Sequence, residues 1–255
     1  MFQFLKPYAK LQRAYLLSVR FNKPLTLLGW GVTATALIWG LMYAPADYQQ
    51  GDSFRLIYVH VPMALGSMAG YFAMALCAFT FTIWRFPLSA VLVKAIAPIG
   101  ALYTFLALVT GAIWGKPMWG AWWVWDARLT SELVLLFIYL AVIALYHAFE
   151  NEKQADAMVS LFAIVGVINL PIIHFSVEWW QTLHQGATIT RFAKPAMDSA
   201  MLWPLILSLI GFATVFWALV MSELKHAIIE REKHRPWLRE HVMVSHKMER
   251  EHDAQ

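Results

Sequence analysis

Cysteine and charged residues are scarce in this sequence. One cysteine, Cys77, occurs among 255 residues, which excludes an intrachain disulfide and any Cys-x-x-Cys motif, whether for redox chemistry or for cofactor attachment. Asp, Glu, Lys and Arg together make up 14% of the chain, against 60% hydrophobic residues. That balance is typical of a membrane protein and not of a soluble domain.

The chain also lacks a phosphate-binding loop. The stretch from Gly111 to Lys116 resembles one, but its glycine spacing is one residue short, and Pro117 stands where Ser or Thr is required. We therefore expect no ATP hydrolysis by this chain.

Apolar residues fall in blocks of about 20, the length of helix that crosses a bilayer. Six blocks predict an all-α fold with six transmembrane helices, near residues 25–43, 59–84, 93–114, 129–148, 157–175 and 200–221. The first block lacks a signal-peptide cleavage site, so we expect it to be retained. The predicted organisation is a membrane domain over residues 1–222 and a charged cytoplasmic tail over residues 223–255.

The basic residues predict the orientation of these helices. An even number of spans places both termini on one side of the membrane. With cytoplasmic termini, fifteen of the 20 Lys and Arg residues lie inside, as the positive-inside rule requires. The five left outside are Arg55, Lys116, Arg128, Arg191 and Lys194. This topology accounts for the net charge of +4 without a nucleic-acid partner.

Tryptophans are concentrated in the outer connection predicted between the third and fourth spans. Five occur within twelve residues: Trp114, Trp119, Trp122, Trp123 and Trp125. Interfacial anchoring is the ordinary explanation, but anchors belong at both interfaces, and seven of the 13 tryptophans lie in or beside two outer loops. We expect Gly115, Pro117 and Gly120 to interrupt any helix here. Residues 114–131 would then form an apolar loop suited to a large, flat, hydrophobic ligand.

Two histidines lie in the predicted outer connections: His60 at the start of the second span and His184 before the sixth. Each alone is explained by an ordinary hydrogen-bonded structural role. Together, beside an aromatic loop, they match haem iron held by an imidazole on each face. The haem propionates would need cations, and Arg55 and Arg128 are the candidates, although Arg128 is equally well explained as a surface residue. Asp126 is expected to cap the fourth helix.

Residues 119–131, Trp-Gly-Ala-Trp-Trp-Val-Trp-Asp-Ala-Arg-Leu-Thr-Ser, resemble the tryptophan-rich WWD signature of haem-handling proteins in cytochrome c biogenesis. Six predicted spans and the chain length extend the resemblance. So do the surroundings of His60 (Val-His-Val-Pro) and His184 (Thr-Leu-His-Gln-Gly). Over essentially its whole length the chain is similar to the CcmC family of the bacterial system I pathway.

The resemblance implies a haem-binding and haem-transfer protein of the bacterial inner membrane, not an enzyme. Its periplasmic face would bind haem b as cargo, with His60 and His184 as axial iron ligands. The other haem-binding residues would be Trp114, Trp119, Trp122, Trp123, Trp125, Asp126, Arg128 and Arg55. It further implies transfer of haem to the periplasmic chaperone CcmE, and a complex in the membrane lipid with CcmB, CcmD and CcmA, the last as the ATPase. The role of His174, near the outer end of the fifth span, is left open.

Three other functions suit a polytopic membrane protein. A b-type cytochrome subunit usually holds its histidine pairs within helices at membrane depth. A transporter tends to place ionisable residues near the midplane, and the predicted spans are nearly free of charge. A plain anchor leaves the tryptophans and histidines unexplained. Haem transfer is the prediction, with electron transfer by a b-type cytochrome as the alternative.

Overall fold

The computed structural model of the chain describes residues 10–180, 182–184 and 197–240. These residues form helices and connections, without a β-strand. The helices are α1 (Leu11–Ile38), α2 (Ile57–Trp84), α3 (Pro87–Trp119), α4 (Ala127–Ala148), α5 (Glu152–Gly166), α6 (Asn169–Trp179) and α7 (Ser199–Glu232). A π-helical turn, Trp39–Tyr43, extends α1, and a 3₁₀ turn, Asp52–Leu56, leads into α2.

Six helical segments are long and apolar enough to cross a bilayer, which confirms the predicted number. They are Leu11–Tyr43, Asp52–Trp84, Pro87–Trp119, Ala127–Ala148, Glu152–Trp179 and Ser199–Glu232. The first begins well before residue 25, because the early turns of α1 have partners of their own. The Tyr15 ring packs edge-on against Trp237, 5.7 Å between centroids, and Asn22 Nδ2 donates to the Ala218 carbonyl at 2.7 Å.

The last helix, α7, continues beyond residue 221, so the boundary predicted at residue 222 falls inside it. Ion pairs hold this extension to neighbouring helices. Lys94 Nζ lies 2.6 Å from Glu230 Oε2, and Arg231 Nη2 lies 2.6 Å from Asp156 Oδ2. The part of the predicted tail from residue 241 onward lies outside the described residues.

The fifth span is broken into α5 and α6, where one continuous helix was predicted. Val167 and Ile168 form the turn between them. Pro171 explains the break, because proline has no N–H and its ring clashes with the carbonyl four residues earlier. The Val167 carbonyl instead accepts from the Leu170 N–H at 3.0 Å, and Asn169 Nδ2 donates to the Ser131 carbonyl of α4 at 2.9 Å.

The third helix continues through Gly115 and Pro117, so the prediction that these residues interrupt it is wrong. Gly115 accommodates the Trp119 ring, since a Cβ there would lie 2.9 Å from Trp119 Cε3. Gly120 ends the helix with φ of 74°, a left-handed conformation that glycine adopts without strain. Most of the predicted loop 114–131 is therefore helical, and the connection itself is residues 120–126.

Close helix contacts define the core of the bundle. Side chains at Gly66 and Gly70 would collide with the rings of Tyr103 and Phe216, so the two glycines of Gly66-x-x-x-Gly70 let α2 pack closely against its neighbours. Tyr103 also donates its hydroxyl proton to the Phe212 carbonyl at 2.7 Å. This packing fixes the rotation of α2 against α3 and α7, and with it the direction in which His60 points.

Candidate functional site

His60 lies in the first turns of α2 and faces α3. Its Nδ1 is 3.1 Å from the Ala107 carbonyl and 3.1 Å from Thr110 Oγ1. Because a backbone carbonyl can only accept, Nδ1 carries the proton and Nε2 keeps its lone pair. The imidazole also packs edge-on against Trp114, with centroids 5.7 Å apart. A Cβ at Gly111 would lie 3.0 Å from His60 Cε1, so the missing side chain at Gly111 makes room for the ring.

His184 follows α6 and is oriented by Asp126. Its Nδ1 lies 3.2 Å from Asp126 Oδ2, and its ring packs on Trp119 with centroids 4.8 Å apart. A carboxylate accepts, so Nδ1 again carries the proton and Nε2 is left with its lone pair. Burial lowers the pKa of His184 below its usual value, and the hydrogen bond to Asp126 acts in the opposite direction. The neutral ring is the form of histidine that binds metals.

Asp126 performs two structural tasks with one carboxylate. Its Oδ1 accepts from the Leu129 N–H at 2.8 Å, which confirms the predicted N-cap of α4. Its Oδ2 holds His184, a task that the sequence did not indicate. The side chain is 6% exposed, so this geometry is shielded from water.

The predicted tryptophans divide into three groups. Trp114 and Trp119 belong to α3 and contact the two histidines; Trp114 Nε1 also donates to Gln50 Oε1 at 2.9 Å. Trp123 packs edge-on against Trp125, 5.3 Å between centroids, and its buried Nε1 has no acceptor within the described part of the chain. Trp122 and Trp125 are 59% and 76% exposed. The cluster therefore has a side that contacts the histidines and an exposed side.

The two predicted arginines differ in whether their guanidinium groups already have partners in the described structure. Arg55 donates from Nη1 to the Leu41 carbonyl, and its Nε lies 3.1 Å from Asp52 Oδ1. Arg128, in the first turn of α4, forms no side-chain hydrogen bond or ion pair with any residue that the structure describes. The charge of Arg128 lowers the pKa of His184, which indicates that its guanidinium lies near that ring.

Sequence reasoning missed the groups that hold these side chains in place. Thr110 and Gly111 at His60, and Gln50 at Trp114, carry no signature of their own in the sequence. Glu132 of α4 accepts from Ser67 Oγ at 2.7 Å. His174 is exposed on α6 and packs on Phe175 with centroids 4.7 Å apart. Within residues 10–180, 182–184 and 197–240, no group of three or more His, Cys, Asp or Glu side chains could hold a bare metal ion.

Known proteins resemble this chain over most of its length. The sequence model of a family described as CcmC, heme exporter protein C, matches residues 4–239. Heme exporter protein C of Haemophilus influenzae is 47% identical over 239 residues, covering 94% of this chain and 97% of that protein. The Escherichia coli K12 protein of the same description is 51% identical over 213 residues, covering 83% and 85%. A putative cytochrome c biosynthesis ccmC-like mitochondrial protein of Marchantia polymorpha is 46% identical over 195 residues, covering 76% and 82%.

Proposed function

Because the chain belongs to the heme exporter protein C family, we propose that it binds haem b at the periplasmic face of the bacterial inner membrane. From there it passes haem to the periplasmic chaperone CcmE during cytochrome c maturation. Haem is its cargo, and the chain is a transfer protein, not an enzyme. Both termini lie in the cytoplasm, where the basic residues are concentrated.

The main support for this proposal is that two imidazoles at one end of the bundle have the same hydrogen-bonding pattern. His60 and His184 each engage Nδ1 in a hydrogen bond. Each therefore presents Nε2, the nitrogen free to bind iron. Hydrogen bonding at the far nitrogen is how proteins fix the tautomer and orientation of metal-binding histidines. We assign the two rings as axial ligands of the haem iron.

The neighbouring aromatic residues suit a flat apolar ligand. Trp114 and Trp119 each pack on one of the histidines, and aromatic stacking contributes about 0.5–1.5 kcal/mol per pair beyond the area buried. Arg128 supplies a guanidinium that can pair with a propionate through two charge-assisted hydrogen bonds. Such pairing would fix the rotation of the macrocycle, and thus which vinyl edge meets CcmE.

A transfer protein must also release its ligand. His184 lies in a connection between helices, and Trp122 and Trp125 are exposed beside it. A site at the edge of the bundle leaves part of the macrocycle accessible to a periplasmic partner. CcmB and CcmD would complete the complex within the membrane, and CcmA would supply the ATP hydrolysis for which this chain has no motif. The position of His184 outside any helix also favours transfer over a b-type cytochrome.

Haem binding and haem transfer can be measured in the same membranes. The chain would be produced with CcmA, CcmB, CcmD and CcmE, and haem would be quantified both on the purified chain and covalently on CcmE. His174→Ala is the matched control, because that histidine is exposed on α6. We expect the parent and the control to carry haem and to load CcmE, and omission of the chain to leave CcmE without haem. Normal loading of CcmE without the chain would contradict the proposal, and haem that is retained but never reaches CcmE would favour electron transfer.

A further inference from the structure

Asp156 and Glu132 are buried as whole residues in the described structure, and their carboxyl groups have different partners. Asp156, 3% exposed, forms a direct ion pair with Arg231, whose two terminal nitrogens lie 3.3 Å and 2.6 Å from its carboxylate oxygens. Glu132, 7% exposed, forms no ion pair with any described residue. Yet Arg128 stands four positions earlier on the same helix, a spacing at which opposite charges ordinarily pair.

Ser67 of α2 is what holds Glu132. The serine hydroxyl lies 2.7 Å from Glu132 Oε1 and 2.8 Å from the Ala64 carbonyl, and the serine is fully buried. The Tyr139 hydroxyl donates to the Ser67 carbonyl at 2.9 Å, which fixes the backbone at this point. The carboxyl group of Glu132 thus bonds to α2, although Arg128 stands on its own helix.

Among the described residues, none accepts a hydrogen bond from the Arg128 guanidinium. A guanidinium has five N–H donors in a planar fork, and none of those of Arg128 bonds to a described residue. Its charge acts on Glu132, Asp126 and both histidines. Because Arg128 is only half-buried, a carboxylate brought by a ligand can reach its guanidinium and form charge-assisted hydrogen bonds with it.

We propose that Ser67 holds the Glu132 carboxyl group on α2, so that Arg128 forms no direct ion pair with it and stays available to a propionate of bound haem. Ser67 and Glu132 are positioning residues that act through Arg128. The inference rests on the proposed function, because it takes haem as the source of the carboxylate.

Removing the Ser67 hydroxyl should let Glu132 turn toward Arg128 and compete with the propionate. Because hydrogen bonds to charged groups are among the stronger ones in proteins, losing this one should lower haem affinity about tenfold or more. The effect should depend on the ligand's carboxylates. It should also depend on Glu132, so changing that residue to Gln in the same chain should restore affinity.

The test is a titration of the full chain in phospholipid nanodiscs with haem and with haem dimethyl ester, in which both propionates are masked. The variants are Ser67→Ala, Ser67→Cys, Glu132→Gln and the double variant Ser67→Ala/Glu132→Gln. Ser67→Cys keeps the side-chain volume, but its thiol is a weak hydrogen-bond donor. Ser208→Ala is the matched control, because the Ser208 hydroxyl is buried without a hydrogen-bond partner among the described residues.

We expect both Ser67 variants to bind haem about tenfold more weakly than the parent. They should bind the ester with parental affinity, and the double variant and the Ser208 control should bind haem like the parent. Equal loss for haem and its ester, no loss for either, or a loss that persists in the double variant would overturn the inference. A parent chain that binds neither ligand would instead refute the proposed function itself.

Discussion

The Asp126 carboxylate lies 3.2 Å from Nδ1 of His184 while its other oxygen caps α4 at Leu129. One side chain therefore couples the start of a transmembrane helix to the orientation of an imidazole contributed by another connection. Any movement of the α4 N-terminus would be transmitted to His184. The aspartate of the tryptophan-rich segment can thus act on haem without touching it.

Asp126→Ala should weaken haem binding by about 10–100-fold, the usual effect of losing a group that orients a metal ligand. Asp126→Asn should cost less than the Ala variant without restoring the parent, because its single amide oxygen can accept from only one of the two partners. The measurement is a haem titration followed by the Soret band. Asp198→Ala is the control, since Asp198 caps α7 through the Ala200 N–H at 2.8 Å and bonds to no histidine in the described part of the chain. Both Ala variants should lose about 1 kcal/mol of stability, and equal haem loss in the two would show that Asp126 acts only as a cap.

Gly111→Val should displace the His60 ring, because even a Cβ at this position would lie 3.0 Å from His60 Cε1. We expect a shifted Soret band and less haem per chain. Gly31→Val is the matched control on α1, where no atom lies within 4 Å of such a Cβ. If both variants keep the parental spectrum, His60 does not need the space that Gly111 provides.

Trp119→Ala should reduce haem retention by a few fold and not abolish it, since one aromatic pair contributes about 0.5–1.5 kcal/mol beyond its area. Trp217→Ala, an exposed tryptophan on α7, should leave retention unchanged. Haem content relative to protein, with chain abundance measured in parallel, distinguishes the two. Loss of the folded chain in the Trp119 variant would indicate that this residue serves packing.

The two arginines should have distinguishable effects. Arg128→Ala should lower haem affinity and lower the covalent adduct on CcmE by a larger factor, because the ring is no longer oriented for its partner. Arg55→Ala should mainly reduce stability, since Arg55 supports the end of α1 through the Leu41 carbonyl. Arg128→Lys keeps the charge but not the planar fork, so it should restore affinity better than transfer. A strictly proportional fall in binding and transfer would argue against an orienting role for Arg128.

The number of spans could be predicted from the sequence because each span is a block of apolar residues of the required length. Their ends could not, because they depend on tertiary partners. The start of α1 depends on the Trp237 ring, and the end of α7 depends on Asp156 and Lys94. Pro171 is a local signal for the break after α5. The length of the apolar block alone, from which the span was predicted, does not reveal it.

The main site residues could be singled out because the tryptophan-rich segment and the two histidines have recognisable local contexts. The sequence could not show which nitrogen of each histidine is engaged, since Ala107, Thr110 and Asp126 reach the rings only through the fold. It could not pair Ser67 with Glu132 either, because that contact depends on the rotation of α2 against α4. When a span is apolar on every side, its sequence does not indicate which face of the helix packs against a neighbour.

Haem ligation by His60 and His184 is best tested by the visible spectrum of the purified chain, recorded oxidised and reduced for the parent, His60→Ala, His184→Ala and the His174→Ala control. We expect the parent and the control to show the same spectrum of haem bound by two imidazoles. Each axial variant should retain less haem, with an altered Soret band, at unchanged chain abundance. Parental haem content and an unchanged Soret band in both His60→Ala and His184→Ala would contradict ligation by these two residues.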